Sequence, residues 1–377
     1  MQGIPDRRAA RAVRDDGTEV CVTIQKKPEQ MTSGTTDRRD AQIIPDGTTA
    51  RLHLTMAVAD YDHVRDLVHG QVAVDGIALT PLVLQVEEIF HRFIKHLEWD
   101  VSEVSFAKYT SLTAQGAAAM VAIPVFPSRV FRHSSIYVRS DRGIAKPKDL
   151  ENRAIGIPEW AQTAGIYARG MLAETYGVDL AKIRWVQAGV NQAGRAEKVE
   201  LKLPAGVRYE SRPDASLSEL LTKGEIDAVM SARMPAAFAQ AQGSIVRLFP
   251  DYRQDELRYY RDTGIFPIMH TIAIRRAVFE RHPWVAMTLF KAFQEAKQRS
   301  AERIGDVTAS RIPLPWSSSL AAEFAATFGP DLFPYGVDAN RPTLEAFCRF
   351  AHDQGITVRK MSPDDLFPRE VRTSAKV

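Results

Sequence analysis

From Arg51 onward, apolar and polar positions follow the pattern of a strand and then a helix. Leu52, Leu54, Met56 and Val58 alternate with polar or small residues, which predicts a β-strand. Polar residues 60–62 follow, and the next apolar residues have helical spacing. The pattern therefore predicts a strand that ends in a loop leading into a helix, a junction at which α/β proteins bind ligands.

The same alternation of strand and helix patterns continues through the chain. Further strands are predicted at residues 77–84, 120–126, 135–138, 154–157, 183–186, 226–231, 245–249 and 269–274. After Pro283 the pattern becomes mostly helical, with predicted helices near 285–304, 320–328 and 343–352. This order favours an α/β fold whose parallel strands place their loops together at one edge.

Two polar stretches, at residues 139–143 and 262–264, are predicted to carry the chain between two lobes. If both are hinges, residues 51–138 together with 268–377 form the first lobe. Residues 139–267, including the hinge strands, form the second. We therefore expect a two-lobed α/β protein with a ligand cleft between the lobes.

The first fifty residues depart from this pattern. They contain eight Lys or Arg, eight Asp or Glu and few large apolar residues. Such a segment buries too little apolar area to offset its ordering entropy, so residues 1–50 are predicted to be a disordered leader or an over-long start. The short apolar run at 20–24 is followed by Lys26 and Lys27, unlike a signal peptide, and no apolar run has transmembrane length. We expect a cytoplasmic protein that does not enter the membrane.

Composition excludes several classes of function. The chain has 377 residues, 45% of them hydrophobic, which is enough for a large folded core. Its 49 basic and 46 acidic residues leave a net charge of +3 without segregation, so no nucleic-acid partner is predicted. Cys21 and Cys348 lie at opposite ends of the chain, which argues against a zinc knuckle or a disulfide framework.

Several segments resemble those of 4,5-dihydroxyphthalate decarboxylases, and the resemblance runs from about Arg51 to Arg369. The segments that carry it are 52–57 with 60–62, 87–91, 122–129, 131–134, 249–252, 264–271, 283–285 and 334–336. The resemblance implies a periplasmic-binding-protein-like type II fold with a hinged cleft. It also implies decarboxylation, without a cofactor, of a hydroxylated aromatic diacid, foremost 4,5-dihydroxyphthalate, to protocatechuate and CO2.

That chemistry sets requirements for the side chains. An aryl carboxylate leaves poorly, so the ring carbon is protonated first, with electrons supplied by the hydroxyl in the para position. A base draws off the phenolic proton, an acid delivers a proton to the carbon, and cations hold the remaining carboxylate. The partner is then a small aromatic carboxylate, and the sequence is compatible with a homo-oligomer.

Arg129 and Arg132, on either side of Phe131, are the first candidates for binding a carboxylate, because a guanidinium matches it with two hydrogen bonds. The alternative is that each pairs with a surface acid. His270, close to the second crossing, is the first candidate for proton transfer, and His133 is the second. His270 could instead be a structural histidine at the start of a strand.

Carboxylates could assist these histidines. Asp60 and Glu103 are candidates to orient a histidine or to accept the phenolic proton, although Asp60 also suits a helix cap. Tyr61 is a candidate contact of the substrate ring that could instead belong to the core, and Phe266 is a further candidate contact of the substrate.

The second lobe offers further candidates where its predicted strands end. Trp160, Gln162 and Thr163 follow the strand 154–157, at the start of a helix whose free N–H groups suit an anion. The alternative is a capped helix with Trp160 packed on the hinge. Arg233 follows the strand 226–231 in the same way.

Two alternatives to this enzyme remain open at the level of sequence. The nine histidines show neither HxH nor HExxH spacing, so no metal site is predicted, although the pattern does not exclude one. A non-catalytic solute-binding protein for an aromatic or pyrimidine-like ligand would use the same cleft, and fold alone does not separate it from an enzyme. A decarboxylase of another aromatic acid shares every feature named above.

Overall fold

Two mixed β-sheets with helices packed against them make up the computed structural model, which describes residues 43–46, 49–197, 201–240, 243–309 and 311–372. Within these residues the strands are β1 (Ile43–Asp46), β2 (Thr49–Val58), β3 (Ile77–Val83), β4 (Val101–Ser105), β5 (Met120–Arg129), β6 (Ile136–Arg139), β7 (Ala154–Ile157), β8 (Arg184–Gly189), β9 (Arg208–Ser216), β10 (Ala228–Met230), β11 (Ile245–Arg247) and β12 (Ile268–Arg275).

The helices are α1 (Asp62–Val68), α2 (Val86–His96), α3 (Phe106–Ala114), α4 (Thr163–Glu174), α5 (Leu217–Lys223), α6 (Ala236–Gln240), α7 (Tyr252–Thr263), α8 (Arg276–Arg281), α9 (Trp284–Gly305), α10 (Ser317–Phe328), α11 (Arg341–Asp353) and α12 (Pro363–Leu366). Short 3₁₀ turns lie at His133–Ser135, Ser140–Arg142, Pro147–Leu150, Leu180–Lys182, Asp338–Asn340 and Arg369–Val371. No helix among the described residues combines the length and the apolar character needed to cross a membrane.

The first sheet has the order β1-β2-β4-β12-β5, and β3 pairs with the other edge of β2. β2 is parallel to both β3 and β4, whereas β12 is antiparallel to β4 and β5. The residues of β2 that were predicted to face the core, Leu52, Leu54, Met56 and Val58, are buried. The alternating pattern that predicted this strand therefore reflects burial of one of its faces.

The second sheet has the order β11-β6-β10-β7-β8-β9. Strands β7 to β10 are parallel, and β6 is antiparallel to β10 and β11. In both sheets, the strand that arrives from the other sheet lies antiparallel between two strands of the opposite direction: β12 between β4 and β5, and β6 between β10 and β11. The chain therefore crosses twice between two similar α/β lobes, and the predicted two-lobed fold is confirmed.

The first crossing lies earlier than predicted. The polar stretch at residues 139–143 predicts the crossing there, but β6 pairs with β10 and β11 of the second sheet. The chain therefore leaves the first sheet after Arg129 and enters the second by Ile136. It returns before Ile268, close to Gly264, whose φ of 68° ends α7 in a left-handed conformation suited to glycine. Apolar patterning predicts a strand at 136–139 but does not tell which sheet the strand joins.

Of the predicted leader, residues 1–42 and 47–48 lie outside the described residues. Ile43–Asp46 forms β1, which pairs antiparallel with the start of β2. Regular structure therefore begins before the predicted start at Arg51.

Two helices near the C-terminus pack on different lobes, α9 on the first and α11 on the second. α9 buries Val285, Leu289 and Phe293, the face that its periodicity predicts. α11 packs on α4 so closely that a Cβ at Gly170 would overlap the ring of Phe350. This contact holds a helix that follows the first sheet against a helix of the second.

Candidate active site

The order of the parallel strands reverses at one place in each sheet. β2 lies between β3 and β4, and β7 lies between β8 and β10. The crevice beyond the carboxyl ends of the strands at such a place is the usual ligand site of an open α/β sheet. Residues 59–61 and Ser105 lie there in the first sheet, and residues 158–163 and 231–233 in the second.

A buried carboxylate lies at the first of these positions. Glu103 on β4 is fully buried, and its Oε1 accepts hydrogen bonds from the Tyr61 hydroxyl at 2.7 Å and from His270 Nδ1–H at 2.6 Å. Its Oε2 accepts a third from the Ala59 backbone N–H at 2.9 Å. His270 lies on the adjacent strand β12 with 18% of its side chain exposed. Of the two predicted histidines, His270 is the one that the structure brings to Glu103.

These contacts determine the protonation of the group. Burial alone would raise the pKa of Glu103, but hydrogen bonds and charge from His270, with the donors Ala59 and Tyr61, outweigh burial and lower that pKa. Burial and the adjacent Glu103 charge raise the pKa of Tyr61 far above its ordinary value. Near neutral pH, Glu103 is therefore an anion and Tyr61 a hydrogen-bond donor. Because Glu103 holds the proton on His270 Nδ1, Nε2 is the ring atom left to act on a ligand.

Ser105 and Ser128 flank His270 across the sheet. Each is a register partner of His270, on β4 and β5 respectively, so the three side chains share one face of the sheet. The Phe90 ring meets the imidazole edge-on, with ring centroids 4.8 Å apart. No local pattern in the sequence predicts these three positions, because only the fold places Ser105, Ser128 and Phe90 beside His270.

The second lobe reaches this site through Thr163. It is the first residue of α4, and its Oγ1 lies 3.1 Å from Ser105 Oγ and accepts a hydrogen bond from the Ala107 N–H at 3.1 Å. Gln162 precedes the helix, is half-buried and does not cap it with its side chain. The start of α4 therefore contacts Ser105, the last residue of β4, which lies two residues beyond Glu103.

Arg233 is exposed at the end of β10. Its Nη2 donates to Glu87 Oε1 over 2.6 Å, and Glu87 lies in the first turn of α2. The side chains are 69% and 50% exposed. The ion pair therefore spans the two lobes at the surface.

Arg129 does not present its guanidinium to a ligand. It is buried, and it donates to the backbone carbonyls of Pro334 at 3.0 Å and Phe266 at 2.9 Å. Its guanidinium also lies 4.4 Å from the centre of the Phe266 ring. Phe266 in turn stacks on Phe131, with centroids 4.8 Å apart, so this predicted ring contact is occupied by protein side chains.

The guanidinium of Arg132 also points away from His270. It is buried, and its Nη2 lies 2.7 Å from Met269 Sδ. Met269 precedes His270 on β12, and successive side chains of a strand point to opposite faces. The structure therefore places Arg132 behind the strand that carries His270, a position that sequence spacing does not reveal.

His133 belongs to an aromatic core separate from His270. It is fully buried, its Nε2 lies 3.0 Å from the Tyr176 hydroxyl, and its ring packs edge-on against Phe249 and Tyr259. Burial lowers the pKa of His133 to about 4. The surroundings of His133 are those of a structural histidine, whereas the sequence predicts a role in proton transfer.

We expect His133 to make the fold sensitive to acid. Between its ordinary value of 6.5 and about 4, the unfolded chain binds a proton that the folded chain excludes, so the free energy of unfolding falls as pH falls through this window. The contribution is up to about 3 kcal/mol. Denaturant unfolding at both ends of the window should show a smaller fall for His133→Gln than for the unaltered protein. The exposed His91→Gln is the control, and an equal fall in all three proteins would contradict the assignment.

Neither Trp160 nor Asp60 hydrogen-bonds to His270 or stacks on it among the described residues. Trp160 is fully buried, donates from its indole N–H to the Gln354 carbonyl at 2.8 Å and stacks under Arg169 at 3.9 Å. Asp60 is exposed in the loop after β2, and Tyr61, not an aspartate, is the residue that precedes α1. Trp160 therefore packs in the core, whereas the sequence left open a ligand contact or packing on the hinge.

Among the residues that the structure describes, no group of three or more His, Cys, Asp or Glu side chains is placed to hold a metal ion. The site contains the imidazole of His270, which is hydrogen-bonded to the buried carboxylate of Glu103 and has hydroxyl groups around it. Such an arrangement can hold and transfer a proton, because the carboxylate orients the ring and stabilises its charged form.

Two curated relatives, both named 4,5-dihydroxyphthalate decarboxylase, are similar to this chain. The protein of Comamonas testosteroni is 38% identical over 319 residues, which cover 84% of this chain and 97% of the relative. The protein of Pseudomonas putida is 41% identical over 212 residues, 56% of this chain and 82% of the relative. No protein-family model matches the chain.

Solved structures with a similar course of the backbone are much less similar in sequence. The periplasmic aliphatic sulphonate-binding protein SsuA of Escherichia coli is 13% identical with a TM-score of 0.46, covering 86% of this chain and 94% of SsuA. The desulfurization enzyme DszB is 14% identical with a TM-score of 0.43, covering 85% and 97%. The chain belongs to the 4,5-dihydroxyphthalate decarboxylase family, because it is 38% identical to the Comamonas protein over 97% of that relative.

Proposed function

We propose that this protein converts 4,5-dihydroxyphthalate to protocatechuate and CO2, the activity for which its curated relatives are named. The observation that carries the proposal is the hydrogen bond between buried Glu103 and His270, at the strand ends where α/β sheets bind ligands. His270 is not held by structural contacts on both sides of its ring, since its Nε2 has no hydrogen-bond partner among the described residues.

In the proposed reaction, His270 protonates the ring carbon that bears the departing carboxylate. The Nε2–H proton forms the new C–H bond, with electrons supplied by the hydroxyl para to that carbon. The bond to the carboxylate then breaks, its electrons return to the ring, and CO2 leaves. One proton is taken up for each CO2 released. Ionised Glu103 stabilises the imidazolium before the transfer and keeps the ring oriented afterwards.

The surrounding side chains suit a dihydroxylated ring. Phe90 offers an aromatic edge beside the imidazole, and the hydroxyls of Ser105, Ser128 and Thr163 can hydrogen-bond the ring hydroxyls. The N-terminus of α4 and the exposed guanidinium of Arg233 provide positive potential for carboxylates. Tyr61 acts through Glu103, because its raised pKa keeps it a donor to that carboxylate.

The direct test is to incubate the purified protein with 4,5-dihydroxyphthalate and a panel of other aromatic acids, following CO2 and products by chromatography. We expect protocatechuate and CO2 in equal amounts, foremost from 4,5-dihydroxyphthalate, and the same rate with a chelator present. Titration calorimetry with each acid runs in parallel. Tight binding of an acid without CO2 from any of them would contradict the proposal and favour a solute-binding protein.

A further inference from the structure

The exposed ion pair between Arg233 and Glu87 lies across the mouth of the crevice. Arg233 follows β10 of the second sheet, and Glu87 lies in the first turn of α2, which follows β3 of the first. The two side chains meet at 2.6 Å and remain 69% and 50% exposed. Both residues are therefore at the ligand edge of their lobes, and neither is committed to the core.

Helix α2 carries both Glu87 of this ion pair and Phe90, which contacts His270. Phe90 lies three residues after Glu87 on α2, and residues with this spacing share a helix face. The Phe90 ring contacts His270 with centroids 4.8 Å apart. Glu87 thus holds the Arg233 guanidinium on the side of α2 that faces His270.

Arg233 differs in one respect from the two arginines first predicted to bind the substrate. Arg129 and Arg132 are buried, and Arg129 donates to backbone carbonyls. The partner of Arg233 is the exposed carboxylate of Glu87. Exposed ion pairs are weak, so another anion can take the place of that carboxylate. A guanidinium binds a carboxylate with two parallel hydrogen bonds, so a ligand carboxylate can replace that of Glu87.

We propose that Arg233 binds the carboxylate that the substrate retains, and that Glu87 occupies Arg233 in the empty protein and competes with the substrate. This inference rests on the proposed function. In an aromatic 1,2-diacid, the retained carboxylate is on the carbon next to the one that is protonated. Binding it at Arg233 presents the leaving group to His270, which makes the pair a determinant of preference for 1,2-diacids over monoacids.

The test measures phthalate binding to the full chain by titration calorimetry. Phthalate is a 1,2-diacid without the hydroxyls that drive loss of CO2, so binding is separated from turnover. Glu87→Gln removes the competitor and should tighten binding roughly two- to fivefold. Arg233→Gln should weaken it by about tenfold or more. In the double variant the gain from Glu87→Gln should vanish, because Glu87 acts through Arg233.

Glu88→Gln is the matched control, since it removes the same charge from the adjacent position of α2, where Glu88 pairs with Arg92. It should leave phthalate affinity unchanged. Unchanged or weaker binding by Glu87→Gln would overturn the inference and leave the pair as a contact that holds the lobes together. A gain that persists with Arg233→Gln, or no phthalate binding by the unaltered protein, would also overturn it. CO2 release from 4,5-dihydroxyphthalate is assayed separately, so failure of the proposed function is seen independently.

Discussion

Replacing His270 by glutamine should lower the rate of CO2 release from 4,5-dihydroxyphthalate by roughly 10²- to 10⁴-fold, the usual contribution of a positioned acid or base. Glutamine keeps a hydrogen-bonding side chain between Ser105 and Ser128 but cannot carry a transferable proton. Because substrate contacts elsewhere are intact, the Kd of 4,5-dihydroxyphthalate should change by less than about threefold. Turnover is measured by chromatography and Kd by titration calorimetry.

The matched control is His91→Gln, the same substitution at an exposed histidine of α2. It should retain full activity. Near-normal turnover in the His270 variant would remove this residue from the mechanism. Equal loss of turnover and of binding would assign it to substrate binding instead.

Replacing Glu103 by glutamine should lower kcat by roughly 10²-fold or more, with a smaller effect on KM. Glu103 accepts three hydrogen bonds, from His270, Tyr61 and Ala59, whereas an amide offers one oxygen and an NH2 group that must find an acceptor. The amide can donate to Nδ1 and favour the wrong tautomer, and it no longer compensates the charge of an imidazolium. Steady-state kinetics over a range of pH provides the measurement.

Tyr61→Phe is the milder change for comparison, since it removes one hydrogen-bond donor to Glu103 and leaves the carboxylate itself in place. We expect a loss of no more than about tenfold in kcat. The pKa of Glu103 is lowered and that of Tyr61 raised, so neither group should titrate near neutral pH in the unaltered protein. Tyr61→Phe should therefore leave the pH dependence of kcat near neutral pH unchanged. Full activity of Glu103→Gln would contradict the proposed role of the carboxylate.

Strand patterns gave most of the fold without the structure. The predicted strand at 154–157 matches β7, and the helix predicted near 285–304 matches α9 (Trp284–Gly305). β4 was missed, although it carries Glu103. It is a central strand, with β2 on one side and β12 on the other, and its Ser102 and Glu103 are fully buried. A polar residue buried in a central strand breaks the alternation on which the prediction depends.

The candidate site was predicted only in part. His270, Glu103, Tyr61 and Thr163 come together as one group, but the arginines that looked most favourable do not join it. Arg129 and Arg132 are close in sequence to the strand end, yet their guanidinium groups turn toward Pro334 and Met269. The direction of a long side chain depends on the packing around it, and local sequence does not contain that information.

The sequence by itself determined the alternation of strands and helices and the two-lobed α/β class, and it made His270 the first candidate for proton transfer. These follow from periodicity along a few neighbouring residues and from the chemistry of single side chains. Only the tertiary structure decided which side chains meet. Glu103 and His270 are 167 residues apart and become neighbours because β12, on returning from the second lobe, inserts beside β4. Strand pairing across that distance is set by the packing of the whole fold.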